Sequence, residues 1–129
     1  MQYLLDTVTL VRHFSEKGKL GEQTARILDG LQESGDFCYV SVISLMEIMY
    51  LAEKNRIEIN LSKTLDLIQA SSQYSVIDLN PEILQVAETI DFPELHDRLI
   101  LATAKWLGIG IISSDREFDK VSGIEVIWD

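Results

Sequence analysis

Two spacings of apolar residues alternate along the chain. Short apolar or β-branched runs predict strands, and segments with apolar residues at helical spacing predict helices between them. The predicted strands are Tyr3–Leu5, Phe37–Val42, Tyr74–Ile77, Ile109–Ile112 and Glu125–Trp128. The predicted helices follow Thr7 and then cover Glu22–Leu31, Ser44–Lys54, Leu61–Ala70, Pro81–Ile90 and a stretch that ends at Leu107. This alternation predicts an α/β fold with a parallel sheet between helices, and we expect one domain over residues 1–129.

The stretch from Glu94 to Asp119 is the most informative part of the pattern. From Leu99 to Leu107 only Thr103 and Lys105 are neither apolar nor small, which predicts a helix buried almost all round. Yet Asp97 stands early in this helix, and Asp115 follows the next strand. In a parallel sheet both positions fall at the carboxyl edge, where ligands usually bind.

Composition limits the kinds of protein this chain can be. Of its 129 residues, 47% are hydrophobic and 25% are charged, which is ordinary for a globular domain. One cysteine and two histidines exclude an intrachain disulfide and a metal cage built from Cys or His, so we expect a reducing, cytoplasmic location. No apolar run approaches the length of a membrane span.

The formal net charge of −10 argues against a broad basic surface for nucleic acid. It is compatible with a metal-dependent nuclease, because bound divalent cations can neutralise carboxylates and attract phosphate. It is equally compatible with acidity that only maintains solubility.

Four acids recur at comparable positions. Asp6 ends the first strand, and Glu47 lies in the first turn of the predicted 44–54 helix. With Asp97 and Asp115, they are expected to meet at the carboxyl edge of the sheet. Clustered carboxylates bind protons more tightly unless a cation lies among them. Such a set of oxygen ligands suits Mg²⁺ or Mn²⁺ and predicts metal-assisted phosphodiester hydrolysis.

Each acid also has a structural interpretation. Asp6 and Asp115 can cap the helical segments that follow them, and Asp97 can favour the positive end of its helix. Glu47 can complete a capping box with Ser44. Four separate capping roles that coincide at one edge are less expected than a shared site.

Four segments, LLDTVTLV, SVISLMEI, HDRLILATAKWLGIGIISSD and IEVIW, resemble the PIN-domain ribonucleases, especially the VapC-type toxins of toxin–antitoxin pairs. The resemblance covers essentially the whole chain. It implies a three-layer PIN-like fold, with a parallel five-stranded sheet flanked by helices. It also implies RNA cleavage that depends on Mg²⁺ or Mn²⁺ and is restrained by a small antitoxin protein. The catalytic and metal-binding acids that it implies are Asp6, Glu47, Asp97 and Asp115, with Glu117 or Asp119 as a possible addition.

Contacts to RNA and to a second copy of the chain are also expected. The cations nearest the motifs are Arg12, Arg98, Arg116 and Lys120, which could bind RNA or could be solvated surface charges. Apolar residues also extend beyond one stripe of the 44–54 helix and into the connection after it: Met49, Tyr50, Leu51, Ile57, Ile59 and Leu61. They predict a homodimer through the 44–54 and 61–70 helices, or else packing beneath the second of these helices.

Three rival interpretations remain open. A haloacid-dehalogenase-like phosphatase needs a second acid two residues after the first, where this chain has Val8. A receiver-like phosphoacceptor domain needs adjacent acids after the first strand and a lysine after the last, and both are absent. A catalytically silent PIN-fold binding module is disfavoured because all four acids are present.

Overall fold

The computed structural model describes all 129 residues, and it confirms an α/β fold with a five-stranded parallel sheet. The strands have the spatial order β3-β2-β1-β4-β5. They are β1 (Gln2–Leu5), β2 (Phe37–Ser41), β3 (Tyr74–Ile77), β4 (Gly110–Ile112) and β5 (Val126–Ile127). The helices are α1 (Thr7–Ser15), α2 (Glu22–Asp29), α3 (Leu31–Ser34), α4 (Val42–Glu53), α5 (Leu61–Gln69), α6 (Pro81–Glu88) and α7 (Leu95–Leu107). A 3₁₀-helix covers Arg116–Lys120.

The two faces of the sheet are covered by two separate hydrophobic cores. In β1, Leu5 belongs to one core and Leu4 to the other, and in β4 the same division separates Ile112 from Ile111. All four side chains are fully buried. Successive residues of a strand point to opposite faces, so a sheet covered on both sides requires apolar residues at every position.

Helix α4 begins earlier than its sequence predicts. Ser41, the last residue of β2, is its N-cap, and the Ser41 side chain accepts a hydrogen bond from the Ile43 N–H at 3.0 Å. The strand therefore runs directly into the helix, because Ser41 has the extended backbone that a cap needs. The capping box predicted between Ser44 and Glu47 is wrong, since Glu47 lies in the second turn.

Another predicted helix is divided in two. The segment predicted as one helix over 22–31 breaks at Gly30, which separates α2 from α3. Glycine is a poor helix former, and here its N–H still bonds to the Arg26 carbonyl at the end of α2.

The prediction of a helix buried almost all round is confirmed in α7 only for residues 99–104, because Lys105 and Trp106 at its end are exposed. Its residues 99–104 are all buried, and it ends at Gly108 in the left-handed conformation (φ 71°). Glu94 caps its start by accepting a hydrogen bond from the Asp97 N–H at 2.6 Å. This helix and the other six are all too short or too polar to cross a membrane.

The apolar residues predicted to form a dimer surface divide into two groups. Ile59 is buried, and Ile57 and Leu61 pack against the core, so these three lie beneath α5. Met46, Met49 and Tyr50 of α4 remain exposed, Tyr50 by 51%. Of the predicted dimer surface, only Met49 and Tyr50 on α4 are therefore exposed, and Leu51 is partly buried.

Candidate active site

Asp6 lies where β1 ends at the carboxyl edge of the sheet. Its backbone N–H donates to the Ile112 carbonyl (3.1 Å), and its Oδ1 accepts from the Thr9 N–H (2.8 Å). Asp6 is thus the N-cap of α1. Burial raises the pKa of Asp6, hydrogen bonds from Ser113 and Thr9 oppose that rise, and the charge of Asp115 adds to it. The structural interpretation of Asp6 is correct, and it leaves a buried carboxylate beside other acids.

Asp97, in the first turn of α7, shows how closely the predicted acids are grouped. Burial and then the charges of Glu94, Glu47, Asp115 and Asp6 together raise its pKa to about 6. The structure therefore brings together Asp6, Glu47, Asp97 and Asp115, which we call the inner acids. Glu94 adjoins this group without belonging to it, since its carboxylate lies 3.3 Å from His96 Nδ1, and sequence reasoning assigned it no role. Its position three residues before Asp97, at the start of the helix, was the available signal.

Three hydroxyl side chains that sequence reasoning missed hold the inner acids in place. Thr7 Oγ1 donates to Glu47 Oε1 at 2.5 Å, and the Thr7 and Ser44 hydroxyls are hydrogen-bonded at 2.9 Å. Because Thr7 and Ser44 are buried, this contact fixes α1 against α4. The signal for Thr7 was its place directly after Asp6.

Ser113, the third hydroxyl, links Asp6 to Asp115. Its hydroxyl lowers the pKa of Asp6, and its Oγ accepts from the Asp115 N–H at 3.0 Å. Asp115 Oδ1 in turn accepts from the Glu117 N–H (2.9 Å) and caps the 3₁₀-helix. The capping interpretation of Asp115 is also correct, and it orients the carboxylate at the strand end.

None of the inner acids forms an ion pair with a lysine, arginine or histidine. Glu117 and Asp119, the two candidates for a fifth acid, do form such pairs. Glu117 lies 2.7 Å from Lys120, and Asp119 lies 3.9 Å from Arg116. Of the two, only Asp119 lines the same depression as Asp115.

The four candidate RNA-binding cations have different partners. Arg116 is bound to Asp129 at 2.8 Å, and Lys120 to Glu117. Arg12 donates to the Lys19 carbonyl, and the Nε atom of Arg98 is buried without a hydrogen-bond partner. Arg12 and Arg98 are thus free of acidic partners.

The chemistry of these side chains fits a hard divalent cation. No group of three or more Asp, Glu, His or Cys side chains is arranged to hold a metal ion directly. Mg²⁺ is usually held through one or two carboxylates and several waters, so direct ligation by three side chains is not needed. Every candidate donor here is oxygen, which suits Mg²⁺ or Mn²⁺ better than softer metals.

Comparison with known families distinguishes the PIN fold from the haloacid-dehalogenase-like and receiver-like alternatives. The sequence profile described as PIN domain matches residues 3–124. The chain belongs to the PIN domain family. No curated protein matches it in sequence.

Solved structures share the fold of this PIN domain at low sequence identity. A chain of VapBC2 from Rickettsia felis, bound to a DNA fragment from their promoter, superposes with a TM-score of 0.78 at 18% identity, covering 100% of both chains. A chain of DNA-bound VapBC from Salmonella typhimurium gives 0.71 at 21% identity and covers 98% of this chain and 97% of that one. A chain of a toxin–antitoxin complex from Klebsiella pneumoniae gives 0.64 at 22% identity, with coverage of 97% and 95%.

Proposed function

We propose that this PIN domain is a metal-dependent endoribonuclease and the VapC-type toxin of a type II toxin–antitoxin pair. It would act in the cytoplasm as a single domain over residues 1–129 and hydrolyse RNA phosphodiester bonds with Mg²⁺ or Mn²⁺. The observation that carries the proposal is the group of inner acids, in which the pKa of Asp97 is raised to about 6. Carboxylates that repel one another without a protein cation among them favour a bound metal ion.

The inner acids would hold the cation, and the hydroxyl side chains would orient them. Asp6 and Asp115 are oriented by Ser113, and Glu47 by Thr7. Hydrogen bonds of this kind fix ligating carboxylates and tune the metal that they bind. When bound, the cation would supply positive charge against the developing charge on the phosphate and would acidify the attacking water.

The similar structures support an antitoxin partner. They belong to VapBC complexes and to a toxin–antitoxin complex, and the PIN family is nuclease-type. A groove of about 510 Å³, lined mainly by apolar residues of α4, adjoins Glu47 at the site. An antitoxin segment would reach and block the inner acids at the Glu47 end of this groove, beside the α4 surface that a second copy of the chain would cover.

The direct test is cleavage of RNA by the purified chain. We expect cleavage with Mg²⁺ or Mn²⁺, none in excess chelator, and recovery when the metal is restored. Undiminished cleavage in chelator would overturn the metal mechanism. A folded protein that binds an antitoxin but never cleaves RNA would instead support the silent binding module.

We also propose a homodimer in which α4 contributes the contact. Met46, Met49 and Tyr50 expose apolar surface that a second copy would cover. Light scattering at micromolar concentration should report twice the chain mass, and Tyr50→Glu should shift it to that of a monomer. A wild-type monomer would refute the dimer, and a Tyr50→Glu dimer would move the interface away from α4. Ile57→Glu is not a useful probe of the contact, because Ile57 packs against the core.

A further inference from the structure

A continuous groove leads away from Asp115 along the C-terminal residues. A small depression of about 170 Å³ contains Asp115, Trp128 and Asp129. A larger one of about 530 Å³ contains Trp128 and Asp129 again, together with Arg12 and Lys19. Since the two depressions share Trp128 and Asp129, we treat them as one surface, the C-terminal groove.

The far end of the C-terminal groove carries cations without acidic partners. Asp129 is bound to Arg116 at 2.8 Å, and Glu22, the other acid at this end, lies 3.9 Å from Arg26. Neither Arg12 nor Lys19 forms an ion pair. In a chain with a net charge of −10, this end of the groove offers two positive charges to a phosphate backbone.

Arg12 is held in position before any ligand binds. Its Nη1 donates to the Lys19 carbonyl at 2.9 Å, and its guanidinium carbon lies 5.9 Å from the centre of the Trp128 ring. The loop closes tightly over it, because a Cβ at Gly18 (φ 88°) would lie 2.8 Å from Arg12 Cγ. A fixed guanidinium loses less freedom when it binds a phosphate.

Trp128 is fixed equally firmly. Its carbonyl oxygen accepts from the Thr24 N–H (3.1 Å) and from Thr24 Oγ1 (2.8 Å). A Cβ at Gly21 would lie 2.1 Å from that oxygen, so only glycine permits this approach. Trp128 is half-buried and packs partly against the core, so only the remainder of its surface is open to a ligand. An aromatic ring held beside cations is a surface on which an unpaired base can stack.

We propose that the C-terminal groove binds a single-stranded segment of the RNA substrate next to the bond that is cleaved. A base would stack on Trp128, and Arg12 and Lys19 would contact phosphates. Unpaired bases are required, because the bases of a duplex already stack on one another. This inference rests on the proposed function, since it assigns a strand to a site that would cut RNA.

Fluorescence and salt titration test the groove without cleavage. Trp106→Phe leaves Trp128 as the one tryptophan of the chain. In excess chelator, we expect a single-stranded oligoribonucleotide to quench the fluorescence of this variant, and the same sequence in a duplex to leave it unchanged. Arg12→Gln with Lys19→Gln should weaken binding and lower the slope of log K against log salt by about 1.4, at roughly 0.7 per phosphate contact.

A matched control lies across the sheet. Lys63 is an exposed, unpaired lysine on α5, which packs near the edge strand β3, and Lys63→Gln should leave affinity and slope unchanged. Lys19 is also exposed, so Lys19→Gln alone tests the charge without risk to folding.

The proposal that the groove binds RNA would be overturned by RNA that binds without quenching Trp128. An unchanged slope of log K against log salt in the double variant would also overturn it. Substitutions that weaken binding of a partner protein but not of RNA would overturn it as well. Groove binding in a protein that never cleaves RNA would refute the proposed nuclease and leave the groove standing. Normal cleavage without quenching of Trp128 would support the nuclease and refute RNA binding in the groove.

Discussion

The inner acids and the acids of the 116–120 turn lie on the same side of the molecule, in different electrostatic surroundings. Glu117 and Asp119, the turn acids, are 62% and 51% exposed, and each has a basic partner on its own turn. The inner acids have no basic partner, and burial raises the pKa values of Asp6 and Asp97. Whether an acid has a basic partner in the protein is therefore more informative about its role than whether it is an aspartate or a glutamate. An acid that the protein has left unpaired is available to a cation from solution.

The largest expected difference between the two groups is in catalysis. Asp97→Asn should lower RNA cleavage by at least about 100-fold, because a metal site supplies several kcal/mol to such a reaction. Glu117→Gln should change cleavage less than about twofold, since Glu117 only forms an exposed ion pair. Initial rates at saturating Mg²⁺ measure both. Equal losses in the two variants would remove the distinction between inner and turn acids.

Glu47→Gln separates the structural role of an inner acid from its charge. Glutamine can still accept the hydrogen bond from Thr7, so the free energy of unfolding should change by less than about 1 kcal/mol. The lost charge should lower activity by about 10- to 100-fold. Urea titration and cleavage rates give the two values. Full activity together with a large loss of stability would make Glu47 purely structural.

The pH dependence of stability tests the electrostatic contrast in metal-free protein. The pKa of Asp97 is about 6 in the folded chain and 3.8 without its surroundings, so the folded state binds a proton first as the pH falls. The free energy of unfolding should therefore rise as the pH falls from about 7 towards 4. The destabilisation caused by the charged Asp97 carboxylate should be fully present above pH 6. Solvent screening at this half-buried side chain reduces the effect to about 1 kcal/mol.

Asp97→Asn is the control for this measurement. Asparagine does not titrate, so denaturant titrations from pH 7 to pH 4 in chelator should show a smaller rise in that variant. If the stability of Asp97→Asn rises by as much as that of wild type, the effect belongs to other groups. One such group is Asp6, whose pKa is also raised.

The smallest effect is expected from the turn. Arg116→Gln removes pairs to Asp119 and Asp129 that are largely exposed. The free energy of unfolding of this variant, measured by thermal unfolding, should lie within about 0.5 kcal/mol of the wild-type value. A loss several times larger would mean that the turn contributes more to the fold than exposed ion pairs normally do.

The sequence by itself determined the fold class and the position of the acids along it. The run Ile111-Ile112 suits a strand covered on both faces, and the mostly apolar residues 99–104 suit a helix buried beneath it. Once the sheet is parallel, Asp6 and Asp115 must share its carboxyl edge. The PIN resemblance extended this pattern to the whole chain, and the family match confirmed it.

Only the tertiary structure decided which groups face one another across elements. The bonds from Thr7 to Glu47 and from Thr9 to the Ile112 carbonyl join residues 40 and 103 positions apart, a proximity that no local pattern contains. Capping also depended on three-dimensional context, because Ser41 became the cap of α4 only when β2 ended in extended backbone directly before it. Ion pairing was decided in the same way: Arg116 binds Asp129, at the far end of the next strand. Charge along the chain is a property of sequence, whereas neutralisation of that charge depends on distances that folding creates.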